Sequence, residues 1–466
     1  MFRKTQHIHF VGIGGIGMSG IAELLLNLNY AVSGSDIKDS DIIERLRRLG
    51  ASIFIGHNKS NIKNADVVVY SSAVNQDNIE IKSAKENLIP VIRRAEILAE
   101  LMRIRYGIAV AGSHGKTTTT SLIATVLAKG GLDPTVVIGG KLNSLGSNAK
   151  LGQGDFLVAE ADESDGSFTR LTPTIAIVTT IDKEHMDHYK SISKIKEGFL
   201  KFINKVPFYG LSILCLDQKY IQELIPKVEK RCVTYGVTSQ ADYIAKDITY
   251  SGLKTSFNIF NKGKELGEMV INMPGLHNVY NSLATVAVGL ELDIKFEIIK
   301  KALKEFGGIQ RRFEIKGETN GIIVVDDYGH HPTEIRAVLK ASKEVWKEKR
   351  MIVVFQPHRY TRTQYLLNDF FTAFNDSDEL IITDIYSAGE EPIENIDSRL
   401  IYEGVKKYGH KSVFHIRDQS EIVDFLMSII QKGDLILTLG AGNISSVGDE
   451  LLSKLGAKKN RTNNNG

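Results

Sequence analysis

The sequence predicts an α/β protein of three domains. Short apolar runs alternate with helix-period segments almost throughout, which implies βαβ units and parallel sheets. That pattern restarts twice, near Tyr106 and after Gly307-Gly308. The length, 466 residues, agrees with three domains at about 150 residues each.

Residues 7–12 read as a strand, 18–28 as a helix, 30–33 as a strand, 41–49 as a helix and 65–70 as a strand. After the first restart come a strand at 107–111, a helix at 116–129 and strands at 156–159 and 175–180. Residues 242–269 differ: they are β-branched, carry turns at Gly252 and Gly263, and read as antiparallel strands inserted late in this domain. The third set has strands at 322–326, 351–355, 380–383 and 434–439, with helices at 333–347 and 364–374. The expected domains are 1–105, Rossmann-like; 106–310, a P-loop-type ATPase domain; and 311–457, Rossmann-like again. A basic, Asn-rich tail at 458–466 is expected to be disordered.

Composition excludes several classes. Hydrophobic residues make up 42% and charged residues 24%, as in an ordinary globular protein. A net charge of +3 gives no electrostatic case for nucleic acid. Two cysteines, Cys215 and Cys232, make no disulfide framework and suit a reducing compartment. No apolar run nears the roughly 20 residues needed to cross a bilayer. Gly12, Gly14, Gly15 and Gly17 interrupt the N-terminal apolar stretch, so it reads as a strand entering a loop, not a secretion signal. A cytoplasmic protein with no membrane partner is expected.

The first loop, Gly12-Ile-Gly14-Gly15-Ile-Gly17, follows a strand and opens a helix, with Asp36 ending the next strand 19 residues after Gly17. Glycine permits the tight turn and the close approach of backbone to a diphosphate, and the helix N-terminus offers N–H groups to the anion. The motif specifies a diphosphate; it does not choose between a nicotinamide dinucleotide and a sugar nucleotide. The second loop, Gly112-Ser113-His114-Gly115-Lys116-Thr117-Thr118, repeats the strand–loop–helix order. Its amides would cradle phosphates, Lys116 would neutralise β/γ oxygens, and Thr117 would ligate Mg²⁺. Val110 stands where the common spacing has glycine, so this is a shorter variant. A dehydrogenase needs one such loop. Two suggest that ATP reacts with a second phosphorylated substrate.

Other polar clusters fall at expected strand C-termini, where open α/β sheets bind ligands. Glu160 begins the acidic run to Asp165, which needs a divalent cation to face triphosphate or else is a solvated turn. His185 reads as a cation ligand, a substrate-orienting group or a surface histidine. Asp326-Asp327-Tyr328-Gly-His330-His331 and His358-Arg359-Tyr-Thr-Arg362 follow two strands of the third domain. Arg359 and Arg362 have the forked donors that hold carboxylate or phosphate. Gly440-Ala-Gly442-Asn is a third, less specific junction.

Taken together and in order, these motifs resemble the Mur ligases of peptidoglycan synthesis, in the alanine-adding branch. The resemblance runs from about His7 to Gly442. It rests on HFVGIGGIGMSGIAE, YSSAV, GSHGKTTT, EADESDGSF, DKEHMDHY, MPGLHNVYNSLA, FGGIQRRFE, DDYGHHPTEI and QPHRYTRT. It implies ATP-dependent joining of L-alanine to the carboxylate of UDP-N-acetylmuramate through an acyl phosphate. The first loop would then hold the UDP moiety, not NAD, with Asp36, Ser71 and Ser72 in the same site. Gly112–Thr118 would hold MgATP, with Mg²⁺ on Thr117, Glu160 and His185. Asn278 and Asn281 would lie near adenine, and Arg312 and Asp327 would reach ATP. Tyr328, His330, Arg359 and Arg362 would surround the muramyl carboxylate and alanine, with His330 as base or amine-orienting group. Closure of the third domain would exclude water. The expected assembly is a monomer or weak homodimer. Two departures stand out: Ser113 replaces the family's threonine, and Phe199 stands near where sibling ligases carry a carbamylated lysine.

Overall fold

Short runs of Val, Ile, Ala and Phe form strands buried on both faces, as parallel strands covered by helices are. The computed structural model describes residues 6–71, 73–138 and 149–463, with no side-chain description for Ile16 or 457–463. The chain divides into two compact units. The first comprises Met1–Asp247, Phe257–Val270 and Val279–Gly307; the second comprises Ile248–Ser256, Ile271–Asn278 and Gly308–Gly466.

The first unit begins with a five-stranded parallel sheet in the order Ser52–Ile55, Ala31–Asp36, His7–Val11, Val67–Tyr70, Val91–Arg93. The chain starts in the middle and winds outward both ways, so the order reverses beside His7–Val11. Such a reversal leaves a crevice at the strand C-termini, and the first glycine loop opens there. A buried carboxylate braces this sheet. Glu80 accepts from Ser35 Oγ at 2.5 Å and Asn61 Nδ2 at 2.6 Å and lies 3.4 Å from His9 Nε2. Burial opposes its charge, but the bonds from His9, Ser35 and Asn61 win and hold the carboxyl at about 2.

A ten-stranded sheet follows. In it Tyr106–Ala111 lies between Phe156–Glu160 and Ile175–Val178, parallel to both. This sheet ends in Tyr243–Ser251, Lys254–Asn261 and Lys264–Ile271, successive neighbours joined by two-residue turns as antiparallel strands are. Gly252 and Gly263 have φ of 54° and 82° in those turns.

The second unit has a six-stranded sheet. Ile322–Asp327, Leu435–Leu439 and Met351–Phe355 are its adjacent parallel centre, and Glu314–Thr319 is an antiparallel edge. Two differences from expectation appear here. The helix expected over 364–374 is two short ones, Tyr360–Tyr365 and Leu367–Phe370, because buried Leu366 leaves helical geometry at φ −110° and ψ 14°. The final helix, Ser445–Asn463, runs through most of the expected tail, and 464–466 lie outside the described residues.

Candidate active site

In the first loop, Ser35 C=O accepts from Gly12 N–H at 2.8 Å and Ile13 N–H at 3.1 Å, which turns the chain back over the neighbouring strand. Gly12 sits at φ 79°, and a Cβ there would press on Val74 and Ser71. Asp36 is at the expected place but spends its carboxylate on the loop. It accepts Gly14 N–H and Ile37 N–H, each at 2.8 Å. Gly14, Gly15, Gly17 and Ser71 therefore gather at one strand end, while Ser72 lies outside the described residues.

The second loop is clasped by the end of the adjacent strand. Thr180 C=O accepts Ser113 N–H at 3.0 Å, Thr180 Oγ1 accepts His114 N–H at 2.9 Å, and Thr179 Oγ1 donates to His114 C=O at 2.5 Å. Ser113 Oγ accepts Asp182 N–H at 2.8 Å, a bond a threonine hydroxyl would make equally well. Gly115 has φ 80° and caps the helix Lys116–Lys129. Asn281 lies beneath the loop: Thr119 Oγ1 donates to it at 3.1 Å, and its carbonyl oxygen fills the space beside Gly115. In the second unit, Asn278 Nδ2 donates to Pro274 C=O at 2.8 Å.

Lys116 Nζ is folded back on Gly112 C=O at 2.6 Å and Glu163 Oε1 at 2.8 Å. Burial works against its charge, but Glu163 and Asp162 outweigh that and raise its affinity for the proton. Glu163 is a residue the sequence reading passed over in favour of Glu160. Its side chain is buried, its Oε2 has no hydrogen-bond partner among the described residues, and its Oε1 lies 3.7 Å from His185 Nε2. An orphaned carboxylate oxygen costs free energy unless a cation or donor meets it. Glu160 ends the strand paired with Tyr106–Ala111, in register with Val110. Glu163 and His185 thus stand together beside Lys116, and the orphaned Glu163 oxygen is a hard donor of the kind a divalent cation takes. Phe199 is fully buried, edge-on to Phe168 at 5.1 Å, which leaves no place for a carbamate there.

In the second unit three strand ends converge. Arg311 spans two of them, pairing with Asp326 at 3.0 Å and donating to the carbonyls of Gly442 at 2.8 Å and Gly440 at 2.5 Å. Buried Asp327 accepts Phe313 N–H and Gly329 N–H, each at 2.7 Å. Burial pushes its carboxyl up to about 6, against the pull of Arg312. Tyr328 lies under Arg311 and Arg312, 5.2 and 5.1 Å from its ring centre. His330 Nδ1 meets Tyr328 C=O at 2.9 Å, so the neutral ring donates there and carries its lone pair on Nε2. His330 and His358 rings are 5.4 Å apart, and Arg362 donates to His358 Nδ1 at 2.9 Å. Arg359 holds φ 71°, a strained backbone for a side chain of its size. Its Nε is buried with no hydrogen-bond partner among the described residues.

Two phosphate-type loops, an acid–histidine pair and an arginine–histidine cluster on three α/β sheets define an ATP-using ligase of acids and amines. Three family models match in order: "Mur ligase family, catalytic domain" over 7–106, "Mur ligase middle domain" over 110–289 and "Mur ligase, glutamate ligase domain" over 311–442. The chain belongs to the Mur ligase family, with its three-domain α/β fold. It is 60% identical to the UDP-N-acetylmuramate–L-alanine ligase of Geotalea daltonii, over 98% of this chain and 99% of that one. It is 58% identical to the enzyme of that name from Geobacter sulfurreducens, over 98% and 99%. The crystal structure of UDP-N-acetylmuramate-alanine ligase from Thermotoga maritima matches at a TM-score of 0.82 and 30% identity, over 97% of this chain and 99% of that chain.

Proposed function

We propose that this chain joins L-alanine to the carboxylate of UDP-N-acetylmuramate at the expense of ATP. One observation carries the reading: two anion loops of different charge, each on its own sheet, in a chain that matches the alanine-adding relatives from end to end. In this reading domain 1–105 takes the UDP moiety through Gly12, Gly14, Gly15, Gly17 and Ser71. Domain 106–310 takes ATP through Gly112–Thr118. Domain 311–457 takes the reacting acid and the amino acid through Tyr328, His330, Arg359 and Arg362. The substrates are small molecules, and a cytoplasmic monomer or weak homodimer suits the sequence. Among the described residues no helix is long and apolar enough to cross a membrane.

A carboxylate is a poor acyl donor because its leaving group would be oxide. Attack of its oxygen on the γ-phosphorus of ATP expels ADP and forms an acyl phosphate. The alanine amine then adds to that carbonyl, inorganic phosphate leaves, and an amide remains. Such phosphoryl transfer needs alignment and charge neutralisation more than covalent help. Lys116 supplies a fixed positive charge, which Glu163 keeps in place until phosphate replaces it. Thr117, Glu160, Glu163 and His185 would hold Mg²⁺, which neutralises charge on the phosphate oxygens when bound. Arg359, whose Nη1 lies 3.8 Å from Glu390, would turn its guanidinium to a carboxylate. His330 would take the amine proton or orient the amine.

The test is phosphate release with UDP-N-acetylmuramate, ATP and a panel of L-alanine, glycine, L-serine and an alanyl tripeptide. Release that requires all three substrates and is fastest with L-alanine is expected. Release with the tripeptide and none with alanine would overturn the reading.

A further inference from the structure

The first loop has a cation beside it that its motif does not include. Arg94 begins the helix Arg94–Arg103, directly after the edge strand Val91–Arg93. Its guanidinium lies against Gly17, and a Cβ built on Gly17 would overlap Arg94 Nη1. In the dinucleotide fingerprint the last glycine lets helix and strand pack closely. Here a charged planar group takes that room. Gly17 is the second residue of the helix Ile16–Asn27, where Met18 and Ser19 N–H bond Gly15 C=O at 3.0 and 2.9 Å and no acidic residue stands in the first turn.

The group is anchored on one side only. Nη2 donates to Asp162 Oδ2 at 2.5 Å, and among the described residues this is the one hydrogen bond Arg94 makes. Nε and Nη1 keep three N–H donors without a partner, and the side chain is 30% exposed. The neighbouring Arg93 is held similarly: Nε donates to Tyr70 Oη at 3.1 Å, and Nη1 faces Asp165 at 3.5 Å. Acids of the 160–165 run thus fix two consecutive arginines at the rim of the first sheet.

We propose that Arg94 binds the diphosphate of the sugar nucleotide, and that Asp162 is the positioning residue that keeps its guanidinium at Gly17. This rests on the reading of the first loop given under Proposed function. The planar fork matches phosphate oxygens, and a partner on Nη2 leaves the other edge free to meet them. Asp162 also removes the entropy of placing a long side chain before the ligand arrives.

Full-length wild-type, Arg94→Ala, Arg94→Lys and Asp162→Asn proteins are titrated calorimetrically with UDP-N-acetylmuramate, UDP, uridine and ATP. Arg94→Ala is expected to weaken UDP-N-acetylmuramate and UDP about 10- to 100-fold, the worth of charge-assisted hydrogen bonds. Uridine and ATP should stay within about twofold, and Arg94→Lys should recover part of the loss. Asp162→Asn should weaken UDP in the wild-type background and add nothing in Arg94→Ala. Wild-type affinity for UDP in Arg94→Ala, or equal losses for UDP and uridine, would mean that Arg94 merely pins two domains. Should Arg94→Ala not fold, Arg94→Gln is read by the same criteria. A wild-type chain that binds no UDP-N-acetylmuramate overturns the reading of the loop as well. A wild-type chain that binds it no better than the variants overturns this inference alone.

Discussion

The two glycine loops differ in where their charge comes from. In the loop at 112–118 the cation is part of the motif: Lys116 sits at the start of its own helix, neutralised by buried Glu163. In the loop at 12–17 the motif is uncharged, its acidic partner Asp36 is spent on the amide of Gly14, and a cation, Arg94, arrives from another helix. The acidic run between residues 160 and 165 serves both, with Glu163 on Lys116 and Asp162 on Arg94. On the proposed reading the loop at 112–118 meets a triphosphate with a lysine that is already largely buried. On the same reading the other would offer backbone donors and an arginine tethered by Asp162 to a diphosphate. The glycine pattern alone does not separate the two; the origin of the charge does.

The largest way to break the comparison is Lys116→Ala. It removes the only charge in the second motif and leaves Glu163 buried without its partner. Phosphate release should fall about a thousandfold in steady-state assays. A loss below tenfold would show that the lysine is not the phosphate-facing charge. Arg359→Ala is the control outside both loops. KM for alanine or for the sugar nucleotide should rise roughly 10- to 100-fold, and the Kd for ATP should not move. A variant defective in ATP affinity alone would contradict that placement.

Gly17→Ala sharpens the first half of the comparison. The new methyl meets the end of a flexible side chain and φ is not positive, so the fold should tolerate it. Displacing the Arg94 guanidinium should weaken UDP about tenfold by calorimetry, with little further effect when Arg94 is already alanine. The full tenfold loss in the Arg94→Ala background would trace the effect to the loop backbone instead. A stability measurement, not a binding one, tests the brace beneath that loop. Glu80 bonds Ser35, whose carbonyl turns the loop. Its carboxyl titrates at about 2 in the folded protein and near 4.5 when unfolded. Its contribution is fully present above 4.5 and is lost as pH falls through 2. Glu80→Gln should cost on the order of 3 kcal/mol at pH 7 in urea denaturation and progressively less toward pH 3. A pH-independent cost would mean that packing, not charge, accounts for the effect.

Much of this architecture is legible in local pattern. Strand–glycine–helix junctions and two restarts of the apolar rhythm lead to three sheets, because buried parallel strands and capped helices leave short-range signatures. The positions of Lys116, His330 and Arg359 follow from their places at strand ends. Hydrogen-bond roles do not follow. Glu163 reaches Lys116 across 47 residues, Arg94 reaches Asp162 across 68, and Thr119 reaches Asn281 across 162. Nothing periodic marks such pairs. Asp36 shows the same limit in one residue: spacing locates the acid, and only the fold reveals that it bonds the loop itself. Glu163 had one signal in the sequence, its place in a run too acidic to face triphosphate without a cation.

Crossed titration separates the loops most directly. UDP-N-acetylmuramate is titrated into Lys116→Ala, and ATP into Arg94→Ala. Each variant should bind the crossed ligand with wild-type affinity while binding its own more weakly. A folded variant of either kind that lost both ligands together would contradict two independent anion sites.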